Sequence, residues 1–139
     1  VASIRDIHDG NPWDVSWIKL GGAKYSLNQI EHRIIRPQFK DARIHFAVNC
    51  AARSCPPLLN KAYNPLVLEN QLQNQTRNFI NHSSYNSLDE EPAKVSKIFE
   101  WYAEDFGDLK TFLNRYAKAS IPAEAEIRFR NYDWALNTQ

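Results

Sequence analysis

The chain has 139 residues and a formal net charge of +1 at pH 7, with 43% hydrophobic and 24% charged residues. This is the length of one domain, which can bury roughly two thirds of the surface of its unfolded chain. The composition excludes a disordered chain, and the small net charge excludes a nucleic-acid partner held by bulk positive charge. No apolar run approaches the roughly 20 residues of a spanning helix, so we expect a soluble chain that does not span a membrane.

The chain begins with VASIRDIHDG and contains no Met. This start lacks a charged segment followed by an apolar one, so we expect that a signal peptide is absent or already removed. We therefore expect a processed or trimmed chain. Residues 1–139 would form a single domain, or the C-terminal part of a larger domain.

The first predicted elements are a hairpin and a helix. In the segment SWIKLGGAKYSL, Gly21-Gly22 can supply the positive φ angles of a tight two-residue turn. Ser26 is the expected helix cap, and Gln29, three residues later, completes a capping box. Pro37 is expected to end this helix. Its inward positions, at helical spacing, are Leu27, Ile30, Ile34 and Ile35.

The segment ARIHFAVNC, residues 42–50, is predicted to form a strand. Alternate residues of a strand point to opposite faces. One face carries Ile44, Phe46 and Val48. The other face carries His45, Ala47 and Asn49. Because this second face alternates polar and very small side chains, it leaves room for a ligand or a helix end.

The second half of the chain predicts three helices. Asn64-Pro65 is expected to open the first of them, which runs to about Asn81. Ser96 and Asp108 are expected to cap the next two. The buried stripes of the three helices are Leu68, Leu72, Phe79 and Ile80; Ile98, Phe99, Tyr102 and Phe106; and Leu109, Phe112, Leu113 and Tyr116.

The closing segment AEIRFRNYDWALN is predicted to contain a strand, in which apolar and basic residues alternate. The alternating residues are Ile127, Arg128, Phe129 and Arg130. Taken together, the elements predict an α+β fold, in which an antiparallel β-sheet with a hairpin is covered by helices.

Both cysteines of the chain lie in IHFAVNCAARSCPPL, residues 44–58. A catalytic cysteine reacts as the thiolate, so Cys50 or Cys55 would need a partner that lowers its pKa, and His45 is the candidate. Strict alternation puts Cys50 on the face opposite His45, so the strand would have to twist or bulge for the two to meet. Buried unreactive thiols, or a Cys50–Cys55 disulfide closing a short loop, are the structural alternatives.

A zinc site is a further alternative for the same segment. The residues of the right ligand type are Cys50, Cys55, His45 and His32. Their spacing is wider than in ordinary zinc knuckles, and the chain has no second pair of cysteines. We therefore expect no metal. We also expect no cofactor, because the sequence has neither a phosphate loop nor a dinucleotide fingerprint.

Two other places carry candidate polar groups. Glu31 and His32 flank the buried stripe of the first predicted helix, and Glu31 could orient a histidine as the third member of a triad does. Near the C-terminus, Asp133 could supply the same carboxylate, next to Tyr132. The structural alternatives are that Glu31 and His32 are solvent-exposed residues beside the buried stripe, and that Asp133 is an ordinary turn residue.

Four segments, SLNQIEHRIIR, RIHFAVNCAARSCPPL, KIFEWYAEDFG and YDWALN, resemble the domain of unknown function 547 family, from about residue 17 to 136. The residues at the family's signature positions are Glu31, His32, His45, Asn49, Cys50, Ser54, Cys55 and Pro56. The activity of this family is unassigned, so the resemblance implies no particular reaction.

The resemblance does imply where such a protein is found and what it associates with. Similar domains occur in bacterial proteins, often exported ones, and in plant proteins that also carry a coiled-coil segment. Family members usually carry an upstream helical segment rich in Trp, Asn and Tyr. The resemblance therefore favours a periplasmic or secreted protein after signal removal, and either a homodimer or association with such an upstream segment.

The order of the elements also resembles papain-like and transglutaminase-like enzymes. In those enzymes a Cys, a His and an acid or amide meet between a helix and an antiparallel sheet. This is an analogy between folds, and function depends on the residues of the site.

The first functional hypothesis is a thiol hydrolase or transferase acting on a peptide or amide bond. Cys50 is the expected nucleophile, with Cys55 as the alternative, and His45 acts as base and then as acid. Glu31 or Asn49 would orient the imidazole. The groups expected to contact the oxyanion or a peptide, small amide or thiol substrate are the backbone N–H groups of residues 51–54 and the side chains of His32, Ser54, Tyr132 and Asp133.

The second hypothesis is a non-catalytic protein-interaction module with structural cysteines. A Cys50–Cys55 disulfide would favour this hypothesis, and a disulfide that opens and closes would make the site a redox switch. Exposed aromatic side chains would supply the partner surface. The candidates are Trp13, Trp17, Trp101 and Trp134.

Overall fold

The structure, a computed structural model, describes residues 1–137. Its strands are β1 (Ile18–Leu20), β2 (Ala23–Tyr25), β3 (Ala93–Val95) and β4 (Ile127–Phe129). Its α-helices are α1 (Leu27–Gln29), α2 (Arg36–Phe39), α3 (Leu68–Ile80), α4 (Ile98–Trp101), α5 (Ala103–Phe106) and α6 (Leu109–Tyr116). The other helical segments are a π-helical turn, Ile30–Ile35, and short 3-10 helices at Ile4–Asp6, His8–Gly10, Pro12–Asp14 and Ala42–Phe46. The predicted α+β class is confirmed.

Within residues 1–137, no helix combines the length and the apolar character needed to cross a membrane.

The predicted hairpin and the helix cap after it are confirmed. β1 and β2 pair antiparallel. Gly21 and Gly22 have φ angles of +56° and +81°, the left-handed conformation that a tight hairpin turn requires of both central residues. Ser26 Oγ accepts a hydrogen bond from the Gln29 N–H at 3.1 Å, and Gln29 Oε1 accepts one from the Ser26 N–H at 2.9 Å.

Pro37 does not end the helix, so that prediction is wrong. The chain stays helical to Phe39, and Lys40 ends it with a φ angle of +48°. The reason lies in the π-helical turn Ile30–Ile35, whose wider hydrogen-bond spacing starts a new register at α2. Pro37 falls in the first turn of α2, where a missing N–H costs least.

The predicted strand over residues 42–50 is also wrong. Ala42–Phe46 is a 3-10 helix, and Asp41 Oδ1 caps it by accepting the Arg43 N–H at 3.0 Å. This local hydrogen bond satisfies the backbone without a strand partner. Consecutive residues are therefore buried, in place of the alternation of a strand. The buried residues are Ile44, His45 and Phe46.

The hydrophobic core lies beside this 3-10 helix and receives Phe46, whose side chain is 1% exposed. α3, the α4–α6 segment and the two later strands surround it. The core residues are Phe46, Phe79, Ile80, Leu88, Ala93, Val95, Ile98, Phe99, Phe106, Phe112, Leu113, Tyr116, Ile121 and Ala125. Aromatic rings meet at 4.9 to 6.4 Å between centroids around Phe46 and Phe106, a spacing that favours tilted and edge contacts.

The strand pair next to the core is parallel. β3 and β4 pair with Ala93 opposite Ile127. A parallel pair needs a long crossover, and α4 to α6 supply it. The closing strand was predicted, whereas β3 and the parallel pairing were not. Phe129 is exposed, so the predicted alternation does not bury it.

α3 begins at Leu68, later than predicted. Asn64 forms a turn in place of a helix cap: its Oδ1 accepts the Leu66 N–H at 2.9 Å, and its backbone oxygen accepts the Val67 N–H at 3.0 Å. The predicted inward positions that are buried are Leu72, Phe79 and Ile80, while Leu68 is exposed.

The capping role predicted for Asp108 is confirmed, whereas α4 has Lys97 as its N-cap and Ser96 lies one residue before it. Ser96 Oγ accepts the Ile98 N–H at 3.3 Å, and Asp108 Oδ1 accepts the Thr111 N–H at 2.8 Å. Between Ser96 and Asp108 the helix breaks at Tyr102, whose φ and ψ angles are −114° and 30°. The break separates α4 from α5 and changes the direction in which the following side chains point.

The C-terminal segment, residues 133–137, lies between the N-terminal residues and the loop of the two cysteines. The Leu136 N–H donates to the Ala2 oxygen at 3.0 Å, and the Arg53 N–H donates to the Ala135 oxygen at 2.8 Å. This pairing fixes the neighbouring C-terminal aromatic residues beside that loop.

We expect Phe46→Ala to lower the free energy of unfolding by about 3–5 kcal/mol, because it leaves a cavity among the core aromatic rings. Phe39→Ala is the matched control, since Phe39 is 68% exposed at the end of α2, and it should change stability by less than about 0.5 kcal/mol. Urea unfolding followed by circular dichroism measures both. Equal effects of the two substitutions would contradict the placement of Phe46.

Candidate functional site

A cavity of about 250 Å³ opens between the helical segment 27–35, α4, the loop of the two cysteines and the C-terminal segment. Its aromatic walls are Trp13, Trp101, Tyr102, Tyr132 and Trp134. Its polar lining includes Glu31, His32, His45 and Asn49. Cys50 and Cys55 also line it. Apolar walls around a few converging polar groups are typical of a small-molecule site.

The two cysteines form a disulfide, with Cα atoms 6.1 Å apart. Asn49 holds the loop that they close. Its Oδ1 accepts the Ala51 N–H at 2.6 Å, and its Nδ2 donates to the Pro56 oxygen at 2.8 Å. Asn49 therefore orients the disulfide loop, and its amide has no hydrogen bond to His45 among those of residues 1–137.

Tyr132 bridges the two sulfur atoms. Its hydroxyl lies 3.2 Å from Cys50 Sγ and 3.2 Å from Cys55 Sγ. Burial raises the pKa of Tyr132, so the phenol stays protonated and donates. The backbone N–H of Cys50 also donates to Cys55 Sγ at 2.9 Å. The disulfide is thus hydrogen-bonded from two directions.

His45 lies in the polar part of the cavity and is 3% exposed. Its Nε2 is 2.7 Å from Asp105 Oδ2, and its Nδ1 is 3.8 Å from Glu31 Oε1. The ring stacks on Tyr102, with centroids 4.0 Å apart. The nitrogens of His45 therefore face carboxyl groups, in place of the sulfur that the sequence hypothesis paired with them.

Asp105 also binds Arg36. Arg36 Nε donates to Asp105 Oδ2 at 2.7 Å, and a terminal nitrogen of the same guanidinium donates to Oδ1 at 3.0 Å. These bonds hold the pKa of Asp105 below its usual value. Arg36 in turn lies 5.0 Å from the centre of the Tyr102 ring. Asp105 is thus an ionised carboxylate that is already paired with a cation.

This pairing decides the charge of His45. Burial lowers the pKa of His45, and the hydrogen bond to Asp105 opposes that shift. Arg36 already pairs with both oxygens of Asp105, so the carboxylate attracts a positively charged His45 ring only weakly. We infer that the ring is neutral and donates Nε2–H to Asp105. The lone pair of Nδ1 then points toward Glu31.

Glu31 is the second titratable group of the cavity. Burial raises the pKa of Glu31, although the nearby histidine and arginine side chains oppose the shift. The carboxyl lies 4.0 Å from His32 Nδ1 as well as near His45. Tyr102, whose pKa burial raises to about 12, stays protonated beside it. Glu31 and His45 are therefore two titratable groups side by side in the cavity lining, with 3.8 Å between Glu31 Oε1 and His45 Nδ1.

The other predicted site residues divide into two groups. His32 and Tyr132 line the cavity. Ser54 and Asp133 bind each other outside its lining, where Ser54 Oγ accepts the Asp133 N–H at 2.9 Å. The backbone N–H groups predicted to bind an oxyanion are largely occupied. Those of Ala51, Arg53 and Ser54 donate to Asn49, Ala135 and Asp133, respectively.

Sequence reasoning missed Asp105, Arg36 and Tyr102. A signal was present in KIFEWYAEDFG, where Tyr102 and Asp105 are three residues apart, a spacing that predicts one shared helix face. Of the four tryptophans, Trp13, Trp101 and Trp134 form the aromatic wall, in which Trp101 and Trp134 are 5.7 Å apart. Trp17 does not belong to that wall, since it lies exposed beside β1.

Within residues 1–137, no group of three His, Cys, Asp or Glu side chains converges in the way that metal ligands do. The sulfur atoms that the zinc alternative required are bonded to each other. Sulfur binds zinc as the thiolate, so the disulfide form of the site offers zinc no sulfur ligand.

The burial of neutral His45 predicts a pH-dependent stability. The pKa of His45 is lower in the folded chain than its usual value of about 6.5. As the pH falls below that value, His45 therefore takes up a proton in the unfolded chain but stays neutral in the folded chain. The stability contributed by neutral His45 is complete above about pH 6.5 and is lost below it, with a slope of at most about 1.4 kcal/mol per pH unit.

The measurement is urea unfolding between pH 7.5 and 5.5 of the wild type and of His45→Gln, whose amide nitrogen takes the place of Nε2 and can donate to Asp105 but does not titrate. We expect the wild type to lose more stability than the variant across this interval. Equal slopes for the two proteins would contradict a neutral buried ring.

The family match supports the resemblance seen in the sequence. The family model described as protein of unknown function, DUF547, matches residues 6–80, more than half of the 139 residues. The segments SLNQIEHRIIR and RIHFAVNCAARSCPPL lie inside the matched range, while KIFEWYAEDFG and YDWALN lie outside it. Comparisons with curated proteins and with solved structures gave no match. The chain belongs to the DUF547 family.

Proposed function

We propose that the chain is a cysteine-dependent hydrolase or transferase that acts on a peptide or amide bond, in the manner of peptidases or transglutaminases. One observation carries the proposal: both cysteines line the same cavity as Glu31 and His45. The disulfide is then the resting form of the site, and reduction releases the thiols that react.

Cys50 is the proposed nucleophile. It is half-buried, whereas Cys55 is 3% exposed, so a substrate in the cavity reaches Cys50 more easily. The Tyr132 hydroxyl lies within hydrogen-bond distance of its sulfur. A donor to the charged form favours the thiolate, which is the species that attacks.

The proton transfers are assigned to His45 and Glu31. Asp105 fixes the ring of His45 through Nε2, which is the orienting role that the sequence hypothesis gave to Glu31 or Asn49. Glu31 lies 3.8 Å from Nδ1, so the carboxyl has to move closer before a proton can pass between the two groups and on to the leaving amine. This arrangement follows the general logic of a nucleophile, an acid–base group and an orienting carboxylate.

The backbone N–H of Cys50 is the proposed oxyanion donor. In the disulfide form it donates to Cys55 Sγ. Reduction removes the bond that holds the two sulfurs together, so this N–H can turn to an oxygen formed next to Cys50 Sγ. A donor from the nucleophile's own backbone is a common part of such sites.

The walls of the cavity indicate the substrate class. Trp101 and Tyr132 lie 4.7 Å apart, and Trp13 and Trp134 continue the aromatic wall at 5.9 Å. Rings of this kind bind apolar or aromatic groups by burial and stacking. We propose an amide or short peptide with an apolar or aromatic side chain next to the bond that reacts.

A non-catalytic interaction module is the second candidate, and the disulfide favours it. A bond that closes a short loop can hold the surface loop in place without any chemistry. Trp101, at the rim of the cavity, is exposed and would contact a partner. In this case the apolar cavity receives a side chain of the partner.

Acylation by p-nitrophenyl acetate separates the two candidates. After reduction and removal of the reductant, we expect the wild type to release nitrophenol in a burst of about one equivalent per chain, from the acyl-thiol intermediate. Cys50→Ser should abolish the burst, and Cys55→Ser should retain it. Intact mass spectrometry identifies the acylated cysteine.

His45→Asn tests the acid–base assignment with a peptide p-nitroanilide, because the leaving amine has to be protonated, whereas nitrophenolate leaves without a proton. Loss of a positioned acid–base group lowers the rate by about 100-fold or more. His82→Asn is the matched control, since His82 lies outside the cavity lining, and it should leave the rate unchanged. A reduced wild type without a burst, with Cys50→Ser changing only the melting temperature, would support the interaction module.

A further inference from the structure

The environment of the Cys50–Cys55 bond is asymmetric, and we infer from it a second activity: thiol–disulfide exchange with a low-molecular-weight thiol that enters the cavity. The incoming thiolate attacks Cys50 Sγ, and Cys55 departs as the thiolate. This activity goes beyond the proposed acyl chemistry, because it uses the oxidised form of the site and does not require Glu31 or His45.

Access selects the sulfur that is attacked. Both cysteines line the cavity, but Cys50 is half-buried and Cys55 is 3% exposed. A thiolate approaches a disulfide along the line of the S–S bond, with the leaving sulfur at the far end. The more accessible sulfur therefore forms the mixed disulfide, and the buried one leaves.

Hydrogen bonding favours the same direction. Cys55 Sγ accepts the backbone N–H of Cys50 at 2.9 Å and lies 3.2 Å from the Tyr132 hydroxyl. Cys50 Sγ shares that hydroxyl, and among residues 1–137 it has no backbone donor. A buried thiolate is costly unless donors surround it. Cys55 has one donor more than Cys50, so the fold stabilises a negative charge better on Cys55, and a better-stabilised thiolate leaves faster.

Tyr132 stays a donor throughout the reaction. Its ring is held by Trp101 and Trp134, each 4.7 Å away between centroids. Burial raises the pKa of the phenol, so the departing thiolate meets a hydroxyl and not a phenolate. We assign Tyr132 as the residue that positions a proton at the leaving sulfur.

The exchange balances with thiol as the reductant. The thiolate RS⁻ forms a bond to Cys50 Sγ as the Cys50–Cys55 bond breaks, and the electron pair of that bond goes to Cys55 Sγ. The Cys55 thiolate then takes a proton. A second RS⁻ attacks the outer sulfur of the mixed disulfide and releases RSSR, and the Cys50 thiolate then takes a proton from solvent. Two thiols are oxidised to one disulfide, while the protein disulfide is reduced to two thiols.

The size of the cavity limits which thiols can enter it. A volume of about 250 Å³ between aromatic walls admits a small thiol with its side chain, whereas the cysteine of a folded protein would have to bring its backbone into the same space. The substrate class is therefore a free thiol or a thiol-containing short peptide, and not a protein dithiol.

The first test maps the mixed disulfide on the native protein. The folded, oxidised chain is treated with glutathione, quenched with acid and N-ethylmaleimide, digested and sequenced by mass spectrometry. We expect glutathione on Cys50 and N-ethylmaleimide on Cys55. Glutathione on Cys55, an equal mixture, or adducts that form only after denaturant is added would overturn the inference.

The second test measures the rate of reduction by glutathione in Tyr132→Phe, which keeps the ring but removes the hydroxyl. The loss of one donor to the leaving thiolate should slow the reaction by about three- to tenfold. Tyr116→Phe is the control, since Tyr116 packs on Phe112 in the core, and it should react like the wild type. An unchanged rate in Tyr132→Phe would overturn the role of the hydroxyl.

The third arm compares thiols at equal thiol concentration. Glutathione and 2-mercaptoethanol should reduce the folded wild type faster than a folded protein dithiol such as thioredoxin does. A faster reaction with the protein dithiol would overturn the assignment to small thiols. The mapping of the adduct does not depend on acylation, so the failure of one activity leaves the test of the other intact.

Discussion

The site depends on one carboxylate that serves two partners. Asp105 binds the guanidinium of Arg36 through both oxygens and the imidazole of His45 through one. These contacts join α5 to α2 and to the 3-10 helix Ala42–Phe46, which lie 60 to 69 residues earlier in the chain. Loss of the carboxylate would leave a buried ring N–H unpaired and an arginine with fewer partners, which is among the more costly changes a fold can suffer.

The disulfide loop is the second constraint, and it is coupled to the first through the aromatic wall. Tyr132 contacts both sulfur atoms and packs on Trp101, while Tyr102, next in sequence to Trp101, stacks on His45. Reduction or oxidation of the two sulfurs therefore acts next to the aromatic wall of the cavity, and this wall continues into the segment that contains Tyr102. This continuity is why the proposed acyl chemistry and the inferred thiol exchange concern one cavity with two oxidation states.

Features that a few adjacent residues decide could be predicted from the sequence. Gly21-Gly22 needs only its own turn, and the capping box of Ser26 needs only Gln29. The strand predicted for residues 42–50 is wrong. The prediction used only the alternation of apolar residues, and this pattern does not show that Asp41 caps a helical turn instead. Asp105 was missed since its partner lies 60 residues away, and no local pattern reports such a contact. Of the predicted site residues, Tyr132 and six of the family's signature residues line the cavity, whereas Ser54 and Asp133 lie outside its lining.

The most direct measurement is the protonation of the His45 ring in the folded protein, read from the ¹⁵N chemical shifts of both ring nitrogens at pH 7. We expect a neutral ring with the proton on Nε2, donated to Asp105, and an unprotonated Nδ1 facing Glu31. An imidazolium with both nitrogens protonated, or a neutral ring with its proton on Nδ1, would contradict it.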